Sequence, residues 1–216
     1  RDTLCIDPRE VKKQVSKKTG AIIAVNFAGV PAKIEEIRKF YEGLIIEDCA
    51  HTAGATYKGK TLGNWGDVSC FSFEEKKLMT TGDGGMICSN NKDLLKDVKA
   101  YRWVGIDKDN WKTAKQYTGT DKDAMHWFYE ISLLGYKYNM NDLAASIGIV
   151  QLKKLNKMNQ RRSEIINRYM KGIDGLNAVS PLVPFDTKKY VYQMFGVRCK
   201  KRNELILYLK SKNIAT

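Results

Sequence analysis

Two apolar runs set close together constrain this chain most. Ala21 to Phe27 reads Ala-Ile-Ile-Ala-Val-Asn-Phe, and Leu44 to Asp48 reads Leu-Ile-Ile-Glu-Asp. Neither alternates apolar with polar residues, which is the pattern of strands covered on both faces. Between them Pro31 opens a helical stretch that carries Ile34, Ile37 and Tyr41 on one face, and Gly43 stops it. Strand, helix and strand in that order form a βαβ unit with parallel strands and a right-handed crossover. Two more strands are expected at Asp67–Phe73 and Gly85–Ser89. The segment joining them is about ten residues long without a helical period, too short for a parallel crossover, so the second strand returns antiparallel. The fold class that follows is α/β, a mixed, mostly parallel sheet flanked by helices.

Downstream, Asn91 to Arg102 reads as a surface helix with Leu94, Leu95 and Val98 facing inward. Gly105 to Tyr129 is polar, aromatic-rich and aperiodic, and a loop of that length in a compact domain is usually functional. Asn141 caps a long helix with Leu143, Ile147, Val150, Leu155 and Met158 at helical spacing. It continues through Ile165, Ile166, Tyr169 and Ile173, and Gly172 and Gly175 mark its end. Pro181 and Pro184 punctuate a connector. After it, Tyr190–Cys199 reads as a strand and Asn203–Lys212 as an amphipathic helix, the start of a smaller α+β domain.

Charge and cysteines narrow the function classes. The net charge of +13 comes from 37 Lys and Arg against 24 Asp and Glu, spread along the whole chain. The denser stretch Lys153, Lys154, Lys157, Arg161 and Arg162 reads as a solvated helix face, and without a recognition motif no nucleic-acid partner is expected. No apolar run approaches the roughly 20 residues of a membrane span. The first residues, Arg-Asp-Thr-Leu-Cys, lack a charged-then-apolar leader, so a cytoplasmic location is expected. Cys49, Cys70 and Cys88 fall in strand-like runs and read as buried free thiols. The only histidines are His51 and His126, no metal-ligand spacing occurs, and no metal is expected.

Chemistry concentrates in two places. Asp48 sits at the carboxyl end of a buried strand, where open α/β sheets hold their ligands, although a helix cap or a structural ion pair would also explain it. His51 follows three residues later and could line the same pocket. The richest stretch is Ser69-Cys70-Phe71-Ser72-Phe73-Glu74-Glu75-Lys76-Lys77-Leu78-Met79-Thr80-Thr81-Gly82-Asp83-Gly84-Gly85. Its hydroxyls and glycine N–H groups suit a phosphate, and a lysine there could form a Schiff base. A surface turn with solvated lysines is the alternative.

Taken in order, these segments resemble the DegT-type nucleotide-sugar aminotransferases, a family of fold-type I pyridoxal-phosphate (PLP) enzymes. The resemblance is carried end to end by Asp7-Pro8, Ile22 to Phe27, Gly29-Val30-Pro31-Ala32, and Ile46 to Ala55. Tyr57-Lys58-Gly59-Lys60, Phe71-Ser72-Phe73, Lys77, Thr80 to Gly85, and Gly135-Tyr136-Lys137-Tyr138-Asn139-Met140 continue it. It implies pyridoxal 5′-phosphate as cofactor, with Lys77 in the position of the Schiff-base lysine and Asp48 in that of the acid facing the pyridine nitrogen. By the same resemblance His51 lies beside the ring near its phenolic oxygen and Ser72 is a phosphate ligand. The active site of the family is shared across a homodimer, which makes Lys137 and Asn139 candidates for the neighbouring subunit's phosphate.

The implied reaction moves an amino group from glutamate to a nucleotide-linked keto-sugar, with Lys77 as nucleophile and base. Family dehydratases carry His in place of that lysine. The resemblance also implies that residues 1–158 are the C-terminal portion of the PLP-binding large domain and 159–216 an interdomain helix and partial small domain. On that reading the family's N-terminal Gly-Thr phosphate turn and stacking aromatic lie before residue 1. Glu74 and Gln193 stand where histidine is common in the family. A catalytically inactive homologue or fragment that serves as a binding or scaffold subunit is the alternative function.

Overall fold

The computed structural model describes residues 3–106, 129, 131–183, 185–187 and 190–216. Most of the polar stretch, with His126, and Pro184 lie outside the described residues. The chain opens with α1 (Pro8–Gln14), where Asp7 accepts from the Arg9 N–H and Pro8 occupies the first turn, whose N–H groups need no partner within the helix. Then come β1 (Ala21–Val25), a single helical turn α2 (Ile34–Ile37) and β2 (Leu44–Asp48). A hairpin of β3 (Thr56–Tyr57) and β4 (Lys60–Thr61) turns through Lys58 and Gly59, both at positive φ as a tight two-residue hairpin requires. β5 (Val68–Ser72), β6 (Gly85–Ser89), α3 (Lys92–Arg102) and the 32-residue α4 (Asp142–Ile173) follow. The chain closes with β7 (Val179–Pro181), β8 (Val197–Cys199) and α5 (Arg202–Ser211).

The main sheet has the order β1-β2-β5-β6. The first two pairings are parallel and β5–β6 is antiparallel, as the lengths of the connections dictate. In register, Val25 lies beside Asp48 and Asp48 beside Cys70, so the carboxyl ends of three parallel strands meet at one edge. The crossover helix is shorter than its sequence suggests. Only Ile34–Ile37 is helical, although Ile34, Ile37 and Tyr41 do enter the core together.

Several expectations are corrected. β1 is not covered on both faces: Ile22 and Ala24 are buried while Ile23 is 60% exposed. The reason is that α1 and α2 pack Val11, Ile34, Ile37 and Tyr41 on the side of Ile22, Ala24 and Ile45 alone. Cys70, on the open face beside Asp48, and Cys88, on the edge strand β6, are half-buried and only Cys49 is buried, though all five thiols are free. The apolar face of α4 is also split. Leu155 and Ile166 are buried, whereas Leu143 is 80% exposed and Ile147 and Val150 are exposed too. Finally, only Val197–Cys199 of the expected strand Tyr190–Cys199 is a strand, paired with β7. Its first part departs from extended pairing because Val191 and Tyr192 dock into two separate apolar clusters of the main body.

Candidate active site

Consecutive residues on a strand point to opposite faces, so Glu47 and Asp48 part company at the end of β2. Glu47 turns into the core and is fully buried. Its two oxygens accept from Asn26 Nδ2 at 3.0 Å and from the N–H groups of Gly63, Trp65 and Gly66 at 2.8, 2.9 and 3.2 Å. Four donors offset the loss of water around that carboxylate. Asn26, equally buried, accepts from the Ala32 N–H at 2.8 Å and so links the ends of β1 and β2. Glu47 is a structural acid, and period-two alternation in the sequence already puts one of the two acids inside.

Asp48 goes the other way and stays half-buried. Its Oδ1 accepts from the Ala50 N–H at 2.9 Å, which starts the tight turn carrying His51. His51 is fixed from behind: its Nδ1 accepts from the Ala28 N–H at 3.1 Å, and its ring meets Phe27 edge-on with centroids 6.0 Å apart. Ala28 can aim that N–H because it takes the left-handed conformation, φ 56°. With Nδ1 accepting, the proton of a neutral imidazole resides on Nε2. Burial and the positive charge of Lys77 push the His51 pKa below its ordinary value, against the pull of the Asp48 carboxylate. The carboxylate, the imidazole and the amine therefore share one electrostatic environment.

Lys77 lies in the connection from β5 to β6, which folds as two nested rings. The Thr81 N–H donates to Phe73 O at 2.9 Å, and the Phe73 N–H donates to Gly84 O at 2.8 Å. Leu78 and Met79, directly after the lysine, are buried with Phe73 and with Leu155 of α4. Apolar anchors on both sides thus hold a half-buried lysine at a fixed place. Ser72 ends β5 two residues after Cys70, the register partner of Asp48, and so lies on the same face of the sheet. Its Oγ accepts from the Glu74 N–H at 3.4 Å.

The remaining candidates lie further along the chain. Lys137 is bridged to Trp103 through the backbone, and its ammonium sits 3.4 Å from the centre of that indole. Asn139 is half-buried, and its Oδ1 has no hydrogen-bond partner among the described residues. Asp48, His51 and Lys77 are thus brought together with Ser72 on the adjacent strand, while Lys137 is turned to Trp103. Not foreseen from sequence is the strap Tyr190–Phe195. The Gln193 N–H donates to Ala28 O at 3.1 Å, and the Val191 carbonyl presses on Gly29, at φ 101°, where a side chain has no room. A glycine directly before Val30-Pro31 was the available signal.

Residues 1–216, the whole chain, match one family. The chain belongs to the DegT/DnrJ/EryC1/StrS aminotransferase family. Among curated relatives of this family chain, the uncharacterized protein MJ1066 of Methanocaldococcus jannaschii is 38% identical over all of the chain and 56% of its own length. The spore coat polysaccharide biosynthesis protein SpsC of Bacillus subtilis is 31% identical, again over all of the chain and 56% of its own length. Among solved structures, the putative sugar aminotransferase Spr1654 of Streptococcus pneumoniae in its PMP form superposes with a TM-score of 0.84 at 28% identity. That match covers 99% of this chain and 59% of the other. The PLP form of Spr1654 gives a TM-score of 0.80 at 27% identity, over 99% of this chain and 58% of the other. The chain spans a little more than half the length of these relatives. The mixed sheet flanked by helices is that of PLP-dependent aminotransferases, and PLP is the cofactor of the family.

Proposed function

We propose that this family chain is the cofactor-binding part of a PLP-dependent sugar aminotransferase. The reaction takes an amino group from glutamate to a nucleotide-linked keto-sugar, for amino-sugar or cell-surface polysaccharide synthesis in the cytoplasm. The single observation that carries the reading is the placement of Asp48, with the His51 turn directly after it, at the carboxyl edge of the parallel strands, on the same face as Ser72 and next to the strand that leads into the Lys77 connection. The donor set fits pyridoxal phosphate group by group: a carboxylate for the ring nitrogen, an amine for the aldehyde, an imidazole N–H for the phenolic oxygen and a hydroxyl for the phosphate. When bound, the cofactor supplies the electron sink and the carbonyl that carries nitrogen from donor to acceptor.

Each residue then has a task set by its position. Asp48 holds a proton at the ring nitrogen, because a carboxylate beside a pyridine raises the nitrogen's affinity for it. His51, kept neutral with its proton on Nε2, donates toward an anionic oxygen and adds no net charge that competes with Lys77. Lys77 Nζ takes the proton from Cα of the amino donor and later delivers one to the former ketone carbon of the acceptor. An unprotonated amine at a position set by its own tether serves both as nucleophile and as general base. Ser72 Oγ and the nearby loop N–H groups hold the phosphate end. The reading includes a homodimer in which Lys137 or Asn139 serves the neighbouring subunit's phosphate. It also includes the division at 158/159 between large and small domains.

Incubating the chain with PLP and reducing with borohydride tests the assignment. One equivalent of reduced cofactor on Lys77, absent in Lys77→Ala, is expected. Equal trapping by the alanine variant would refute the assignment. Trapping without turnover of glutamate and nucleotide keto-sugars, measured on a chain of the relatives' full length, would favour the inactive scaffold instead.

A further inference from the structure

The strap that crosses from β7 toward β8 does more than close the core. Val191 packs with Phe73, Leu78, Met79 and Leu155, the cluster that anchors the Lys77 loop. Tyr192, fully buried, packs with Val30, Ile166 and Val183. Directly after these anchors the Gln193 side chain reaches back, and its Nε2 donates to the backbone carbonyl of Lys76. Because the partner is a carbonyl, that end of the amide must be the NH2 group. The Lys76 carbonyl belongs to the same peptide unit as the Lys77 N–H, which donates to Glu74 O at 3.1 Å. Both polar ends of the rigid plane directly before the Lys77 Cα are therefore held, one from the loop itself and one from a residue 117 positions away.

We propose that Gln193 is the positioning residue of Lys77: its side-chain amide fixes the peptide plane from which the lysine departs, and so aims the amine. The proposal deepens the assignment of Lys77 as the cofactor lysine and rests on it. The same strap residue donates its own N–H to Ala28 O, and the Ala28 N–H holds His51. One residue of the C-terminal segment thus ties the imidazole-bearing turn to the lysine-bearing loop. A shift of the strap moves the two groups together rather than apart. The Gln193 Oε1 is buried and has no donor among the described residues, so the amide is held here through its NH2 end.

The test reads the amine directly, without cofactor. Lysines of the purified chain are labelled competitively with an acetylating reagent across a pH series, and each site's rate is read by mass spectrometry. Gln193→Leu and Gln193→Glu, which lose the donor, are expected to change the Lys77 rate about three- to tenfold, the worth of one hydrogen bond. Lys12 and Lys92 keep their rates, and circular dichroism stays that of the parent. Gln193→His, which keeps an N–H donor, returns Lys77 toward the parent rate. An unchanged Lys77 rate in both donor-less variants overturns the proposal, and so does an equal rise at Lys12, Lys92 and Lys77. Labelling decides the positioning role whether or not the parent chain traps PLP, while borohydride trapping decides the functional reading.

Discussion

The two faces of the main sheet carry the same kind of residues and live in different surroundings. On one face Ile22, Ala24 and Ile45 are buried beneath α1 and α2, and the acid there, Glu47, is buried against Asn26 and the Gly63–Gly66 turn with all its lone pairs occupied. On the other, Ile23 and Val25 of β1 and Ile87 of β6 are exposed, and the acid is Asp48, with His51, Ser72 and Lys77 around it. A satisfied buried acid is structure, and a half-buried acid among ionisable neighbours is available for chemistry. Adjacent positions in sequence have been assigned opposite duties by nothing more than the pleat.

The sharpest way to break this contrast is to remove each acid. Glu47→Ala strands four donors, each worth about 1 kcal/mol or more when buried without a partner. It should cost about 4 kcal/mol or abolish folding in urea titrations. Asp48→Asn should cost less than about 1 kcal/mol in the same titration yet lose the borohydride-trapped cofactor, since an amide cannot hold the ring proton. If the two costs were alike, the division of labour would fail. Next in size is Gly29→Ala, which meets both a positive φ and the Val191 carbonyl. A loss of about 2 kcal/mol is expected, together with loosening of the strap read by proteolysis near Tyr190.

A smaller effect is a matter of pH. The folded His51 binds its proton more weakly than the free side chain, whose ordinary value is 6.5. As pH falls through 6.5, the unfolded chain takes up a proton that the folded chain resists. This part of the stability is therefore complete above 6.5 and is lost on acidification toward the folded value. His51→Gln should flatten that part of the stability–pH curve. Smallest of all is Ile23→Thr on the open face, expected to change stability by less than about 0.5 kcal/mol. A cost several times larger would mean that this face is covered in solution.

What was legible in the sequence followed from chain geometry. Runs at Ala21–Val25 and Leu44–Asp48 with a crossover between them can hardly be other than parallel, and about ten residues after Ser72 leave room only for an antiparallel return. The Asn141 cap and helical spacing likewise located α4. Burial was less legible, because an apolar residue looks the same whether a partner covers it or not. Leu143 and Ile23 show this. The strap is hidden in the sequence because Tyr190 to Phe195 has strand-like composition, while its backbone is committed to Ala28 and its side chains to two separate clusters. Of the site, motif order points to Asp48, His51, Ser72 and Lys77. The supports behind them are the Ala28 backbone N–H on His51 and the Gln193 side chain on the Lys76 carbonyl, and contacts made with backbone groups leave no motif in the sequence.

The nested rings of the Lys77 connection have a consequence for how the molecule tolerates change. The inner ring is closed by the Thr81 N–H on Phe73 O before the chain reaches Gly82 and Asp83, and those two exposed residues form only the rim of the outer ring. An insertion at the rim has its length absorbed beyond the clasp, so a spectroscopic label or a short peptide tag grafted there can report on the lysine next door without dislodging it.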